Sequence, residues 1–426
     1  MTKHSSRLKN LAAVAALALA GLAAAVSARA DDSLSVEVMH FWTTGGEAAA
    51  LSKIKQKVGS AGVLWIDSPI AGGGGDNAKT AMQARIAAGS PPTAMLMLGY
   101  NIIDWGKAGM LANLDAVAEK GKWSARIPEA VRAFTQVDGH WVSAPTNIHR
   151  VNMVWASKAA FDKIGAIVPK NWEEFNALAP RFREAGIIPL GHGGQAWQDV
   201  TLFDSVALGI GGPDFYRKAF VDLDPAALSG DTMVKVFDQM RILSTMVDKN
   251  FAGRDWNIAT SMVIEGKAAM QIMGDWAKGE FTNAGKKPDA DFLCFAAPGT
   301  GDDFVFLVNS FSMFELADDT ARKAQVILAD AIMDPATQTA FNIEKGSIPA
   351  VSDAPKQGLD SCALKNVDDM AAASGKNTLL PTVAYTHATT AAVTSAITDV
   401  VTRHFNSDMP SSDAAKELAD AVAAAL

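Results

Sequence analysis

Cysteine is nearly absent. Two in 426 residues are too few for a disulfide-dense scaffold or a four-thiolate metal site. The seven histidines are scattered, with no His-Glu-x-x-His pair and no Cys/His cluster, so neither a metal nor a cofactor is expected. No Gly-x-Ser-x-Gly elbow is present. Basic residues are in deficit: 38 Lys and Arg against 46 Asp and Glu leave a net charge of −8, the wrong sign for neutralising phosphates, which argues against a nucleic-acid partner. Beyond residue 26 no apolar run is long enough to cross a bilayer. Hydrophobic residues nonetheless make up 49% of the chain, enough for full cores, and the length predicts two or three domains.

The first thirty residues differ from the rest. Lys3, Arg7 and Lys9 precede an Ala/Leu/Val run over residues 11–26, and Ala28-Arg29-Ala30 is a small-x-small cleavage site. That order predicts a signal peptide over residues 1–30, cut after Ala30. A membrane anchor is the alternative, but the run is shorter than the ~20 residues a span needs. Cleavage removes four basic residues and no acid, which moves the net charge from −8 to −12. In an oxidising compartment Cys294 and Cys362 are expected to pair; two separate buried thiols are the alternative.

Hydrophobic patterning predicts strand, helix, strand, helix, strand over residues 36–98, an α/β lobe with a parallel sheet. A hairpin-like stretch (135–141) and an extended run (144–155) follow. Helical patterns dominate residues 172–270, strands return at 304–314, and the last sixty residues are helical. The loop from Gly72 to Gly75 is nearly a phosphate loop, reading Gly73-x-x-x-x-Ala78-Lys79-Thr80, but it lacks the glycine before the lysine. A tight strand-to-helix turn is the better account.

Ten tryptophans stand against three tyrosines, and several sit beside polar residues at turns: Phe41-Trp42-Thr43-Thr44, Gln195-Ala196-Trp197-Gln198-Asp199, Arg254-Asp255-Trp256-Asn257 and Gly274-Asp275-Trp276. A sugar presents C–H patches on its ring face and hydroxyls around its edge. It therefore calls for aromatic plates with carboxylate, amide and ammonium groups in the ring plane. Any one tryptophan can equally fill a core; four such clusters favour a ligand cleft. Paired carboxylates in an aromatic cleft also fit a glycoside-cleaving enzyme, and a structural exoprotein is a third class. His149 and His192 read as ordinary hydrogen-bonded residues.

These motifs, with Thr44-Gly45-Gly46-Glu47, Ala144-Pro145-Thr146-Asn147-Ile148-His149 and Glu265-Gly266-Lys267-Ala268-Ala269-Met270, make the chain resemble family 1 extracellular solute-binding proteins of ABC importers, most closely the periplasmic glucose/mannose-binding proteins. The resemblance implies a two-lobed α/β periplasmic-binding-protein fold with an interlobe cleft. Residues 31–146 with 310–350 would form the N-terminal lobe and 147–309 with 351–426 the C-terminal lobe, hinged near Asn147 and Asn309. It implies a binding function without enzymatic activity, a neutral sugar as ligand, a polyol or other solute as the alternative, and a monomer that docks on inner-membrane permease subunits served by an ATPase. Phe41, Trp42 and Glu47 would line one lobe; Trp256 and Trp276 would stack from the other, with Trp197 nearby. Asn309, Lys345 and His387 would supply hydrogen bonds. Phe41 stands where the family has a tryptophan, Leu98 where it has a polar or basic side chain, and Asn309 where glucose binders have an aspartate. These departures bear on which sugar fits.

Overall fold

A computed structural model describes residues 34–426; the expected signal peptide and its cleavage site lie outside the described residues. The strands are β1 (Ser35–His40), β2 (Leu64–Pro69), β3 (Ala94–Leu98), β4 (Ser143–Arg150), β5 (Met153–Ser157), β6 (Ile188–Leu190), β7 (Ala268–Ile272), β8 (Phe292–Ala296), β9 (Phe304–Met313), β10 (Ile348–Pro349) and β11 (Leu379–Pro381), beside one small hairpin at 136–141. They form two main sheets. The larger runs β10-β4-β9-β3-β1-β2, with β11 against the start of β9; the smaller runs β8-β5-β7-β6. In the larger sheet β1 is parallel to β2 and β3, as expected, while β9 is antiparallel to β3 and β4.

Helices cover both sheets. Those that shape the site are α1 (Gly45–Ser60), α2 (Asp76–Ala87), α3 (Ala196–Phe220), α4 (Trp256–Ile264), α5 (Ala277–Asn283), α6 (Pro335–Lys345), α7 (Ser361–Lys376) and α8 (Ala391–Phe405). α1 buries Leu51, Ile54 and Val58 at helical spacing against the larger sheet. α6 opens on Asp334, whose carboxylate accepts from Thr337 N at 2.9 Å, with Pro335 in the first turn; it stops at Lys345 because Gly346 takes φ +86°.

The chain passes between sheets at Val151-Asn152 and again over residues 297–303. Both passages lie several residues from the expected hinge. Asn147 and Asn309 sit instead in the middle of β4 and β9, directly opposite each other in the ladder, and both strands belong along their whole length to the larger sheet. The passages are tied together by Arg150, which is fully buried. Its guanidinium donates to Asp369 at 2.5 Å and to the carbonyls of Gly301 (3.2 Å) and Asp303 (3.1 Å). Asn152 reinforces this by donating to Thr300 Oγ1 at 3.0 Å and Asp303 O at 2.9 Å while accepting from Val305 N at 3.0 Å. Cys294 on β8 and Cys362 in the first turn of α7 form the expected disulfide. No helix among the described residues is long and apolar enough to cross a membrane.

Candidate functional site

A cleft of about 830 Å³, its open mouth included, lies between the two sheets. Phe41, Trp42, Glu47, Leu98, Trp197, Trp256, Trp276, Asn309 and Lys345 all line it. The larger-sheet side is built from the loop after β1, the start of α1, the middle of β9 and the end of α6. The other side comes from the starts of α3, α4 and α5. Glycine makes the close approach possible at two places. A Cβ on Gly46 would lie 2.6 Å from the carbonyl carbon of Gly279, so α1 can meet α5 only through glycine. Gly74, at φ +60°, faces the Trp197 ring, where a Cβ would come within 3.0 Å of it. The near-phosphate-loop is thus a turn into α2 that receives an indole from across the cleft.

The four tryptophans divide in two. Trp42 is 2% exposed, wedged between Phe311 and Phe341 with ring centroids 5.7 and 5.3 Å away; Trp276 is 6% exposed, edge-on to His149 at 5.2 Å and Tyr385 at 5.6 Å. These two are walls. Trp197 and Trp256 are only half-buried.

Polar groups converge between them. Glu47 Oε2 accepts from the backbone N–H groups of Thr43 (3.1 Å) and Thr44 (3.3 Å), and Oε1 takes the Lys345 ammonium at 3.1 Å. That ammonium also lies 5.3 Å from the Trp42 ring centroid. Each charge is therefore held by its partner and aimed at the cleft. The Asn309 side chain has no protein hydrogen bond among the described residues; its backbone carbonyl accepts from Thr146 Oγ1 at 3.0 Å. Asp255 accepts from Gln195 Nε2 at 2.6 Å, and Gln195 in turn accepts from Trp197 Nε1 at 2.9 Å. Among the cleft's side chains one cation faces two carboxylates, a balance that suits an uncharged ligand better than an anion.

The family profile of the bacterial extracellular solute-binding proteins matches residues 69–313. The chain belongs to that family. Among its relatives, this solute-binding protein is 52% identical over 420 residues to the probable sugar-binding periplasmic protein of Brucella suis biovar 1 (strain 1330), covering 98% of this chain and 99% of the relative. The probable sugar-binding periplasmic protein of Rhizobium meliloti (strain 1021) is also 52% identical, over 97% of this chain and 98% of its own. Among solved structures, a chitin oligosaccharide binding protein superposes with TM-score 0.76 at 18% identity (92% and 99% covered). Maltose-bound T. maritima MalE3 does so with 0.74 at 16% identity (92% and 100% covered). These likenesses establish the two-lobed fold.

His387 does not line the cleft. Its ring is buried, with Nδ1–H donating to Tyr385 O at 2.8 Å and Nε2 accepting from Val308 N at 3.0 Å, so both nitrogens are consumed inside the solute-binding protein. Burial pushes its pKa down to about 4. The side chain that faces the cleft is Tyr385, two residues earlier. It is positioned by buried Asp204 of α3, which accepts from Thr382 Oγ1 (2.5 Å), Val383 N (3.1 Å) and Ala384 N (3.3 Å). Nothing local marks Tyr385; the contact spans about 180 residues of chain.

His149, read from sequence as ordinary, also lines the cleft. Its Nδ1 pairs with Asp275, a carboxylate from the smaller-sheet side that also accepts from Arg150 N at 3.0 Å. Burial keeps the imidazole pKa below the ordinary histidine value despite that carboxylate. A neutral ring that donates through Nδ1 leaves Nε2 as an acceptor with no protein partner among the described residues. Gln195, Asp255 and Asn257 also line the cleft, each within two residues of a tryptophan flagged in the sequence. Among the described residues no group of His, Cys, Asp and Glu could hold a metal.

Proposed function

We propose that this chain is a periplasmic receptor that captures a neutral sugar and hands it to the permease of an ABC importer. The observation that carries the reading is the convergence, from two sheets onto one cleft, of two half-exposed indoles and a ring of amide, carboxylate and ammonium groups. The lobes are the two sheets with their helices, hinged at Val151-Asn152 and at 297–303. An open protein takes the sugar against Glu47, Lys345 and Asn309. Closure adds stacking by Trp197 and Trp256 from the other lobe, and that difference in affinity shifts the population toward the closed form. A micromolar dissociation constant corresponds to about −8 kcal/mol. Two stacked faces with charge-assisted hydrogen bonds of roughly 1.5–3 kcal/mol each meet this after ordering costs.

Signal-peptide cleavage after Ala30 would release the protein as a free periplasmic monomer, without cofactor, and the closed form would dock on permease subunits driven by a separate ATPase. The cleft's carboxylates support binding over glycoside cleavage. Glu47 is engaged by Lys345 and two backbone donors, an arrangement for accepting ligand hydroxyls rather than for donating a proton. A thermal-shift screen over monosaccharides, disaccharides and polyols tests the reading. One neutral sugar should raise the melting temperature saturably with no product formed. Release of reducing ends from oligosaccharides would overturn it.

A further inference from the structure

Strand geometry puts His149 on the cleft floor. It is the next-to-last residue of β4, directly opposite Leu307 of β9, and both line the cleft. Its neighbour Arg150 points to the other face, as alternation along a strand requires, and is spent on Asp369 and the carbonyls of Gly301 and Asp303. The imidazole is fixed from two sides. Trp276 packs edge-on to it, and Nδ1 pairs with Asp275 Oδ1. The other oxygen of that carboxylate, Oδ2, accepts from Arg150 N at 3.0 Å and from Asn366 Nδ2 at 3.4 Å. Asp275 is thus ringed by donors, and the group facing Oδ1 is an Nδ1–H. A neutral imidazole has one ring proton to place, so Nε2 can only accept. Nε2 has no protein partner among the described residues, and it is not sealed in as the orphaned Asn147 Nδ2 and Ser310 Oγ are. Such an atom discriminates between ligands. It rewards a hydroxyl, which can donate, and is left unpaired by hydrogen, fluorine or an alkylated oxygen in the same place.

We propose that His149 is a specificity-determining residue of the cleft: its Nε2 accepts from one free hydroxyl of the sugar, and Asp275 is the positioning residue that keeps the ring proton on Nδ1. The hydroxyl that meets it is neither methylated nor part of a glycosidic bond. The proposal rests on the sugar-receptor reading and deepens it, naming the protein atom that demands an O–H donor.

Titration calorimetry on the mature protein tests it, using the sugar that the thermal-shift screen selects with its full set of monodeoxy and monodeoxyfluoro analogues. At one ring position both analogues, neither of which can donate, should bind at least about tenfold more weakly than the sugar itself. In His149→Phe that penalty should vanish while the penalties at other positions stay. Asp275→Asn gives a second reading should the first variant fail to fold. Its amide oxygen takes the place facing Arg150 N and Asn366 Nδ2, which turns the amide N–H groups toward Nδ1 and moves the ring proton to Nε2. The acceptor becomes a donor. The preference for hydroxyl over fluorine should then narrow at least about threefold at that position alone, and the imidazole nitrogen NMR shifts should report the exchanged tautomer. A penalty that persists in His149→Phe overturns the proposal, as does a ring that keeps its Nδ1 proton in Asp275→Asn, or a hydroxyl preference unmoved there. So does a sugar with no position at which both analogues lose. If no neutral sugar binds the parent at all, the receptor reading itself falls, an outcome distinct from binding without this selectivity.

Discussion

Glu47 and Lys345 make a double-mutant cycle that separates architecture from recognition. Their side chains are 9% and 3% exposed and meet at 3.1 Å. Glu47→Gln leaves a buried ammonium over the Trp42 ring with no counter-charge, and should cost about 3–5 kcal/mol of stability. Lys345→Met leaves a carboxylate that still accepts from Thr43 N and Thr44 N, so its cost should be smaller, about 2 kcal/mol. The double variant removes both charges together. Its loss should fall short of the sum of the single losses by at least about 1 kcal/mol, because no uncompensated ion remains. Sugar affinity should behave otherwise: all three variants should lose at least about tenfold, since each deletes a charged group facing the ligand. Urea unfolding reads the first quantity and titration calorimetry the second. Stability losses that add within about 0.5 kcal/mol would refute the coupling. A double variant that binds like the parent would show that the pair only staples α1 to α6.

The tryptophans should sort by exposure. Trp197→Ala and Trp256→Ala should weaken sugar binding with little change in melting temperature, whereas Trp42→Ala, at 2% exposure, should also cost about 3–5 kcal/mol of stability; calorimetry paired with thermal melts checks both. Reducing the Cys294–Cys362 bond, which spans 68 residues, frees a loop whose closure entropy corresponds to about 4 kcal/mol, readable as a lower urea midpoint in reductant. For His387, burial depresses the folded pKa to about 4, so the unfolded chain takes up this proton first as pH falls. The stability is complete above about pH 6.5 and is lost progressively down to about pH 4, by roughly 3 kcal/mol. Between pH 7 and pH 4 the parent should therefore lose about that much more stability than His387→Gln.

The larger sheet was legible because its N-terminal strands are apolar runs set between amphipathic helices with recognisable caps, as at Thr44 before α1. The smaller sheet was not. Ala268–Ile272 is buried at every position and shows no alternation, so it reads as a continuation of the helical stretch before it. Ile188–Leu190 is too short to register, and β5 gains its neighbours β7 and β8 only through pairings more than a hundred residues apart. In the site, tryptophans beside polar residues at turns announced Trp197 and Trp256 with their neighbours Gln195, Asp255 and Asn257. His149 carries no such mark, since a cleft histidine and a core histidine look alike until a partner such as Asp275 is brought to it from the smaller-sheet side. His387 failed for the complementary reason. The family resemblance implied a ligand contact, but the fold spends both nitrogens on Val308 and Tyr385. The cysteine pairing was legible from compartment chemistry alone.

The most direct test of the account is titration calorimetry of the mature protein and its Trp256→Ala variant against a panel of neutral monosaccharides, with the corresponding sugar phosphates as anionic controls. The parent should bind one neutral sugar with one-to-one stoichiometry at micromolar affinity, its phosphate should bind far more weakly, and the variant should lose at least about tenfold. Preference for the phosphate, or a variant that binds as tightly as the parent, would contradict a cleft that closes its indoles on an uncharged carbohydrate.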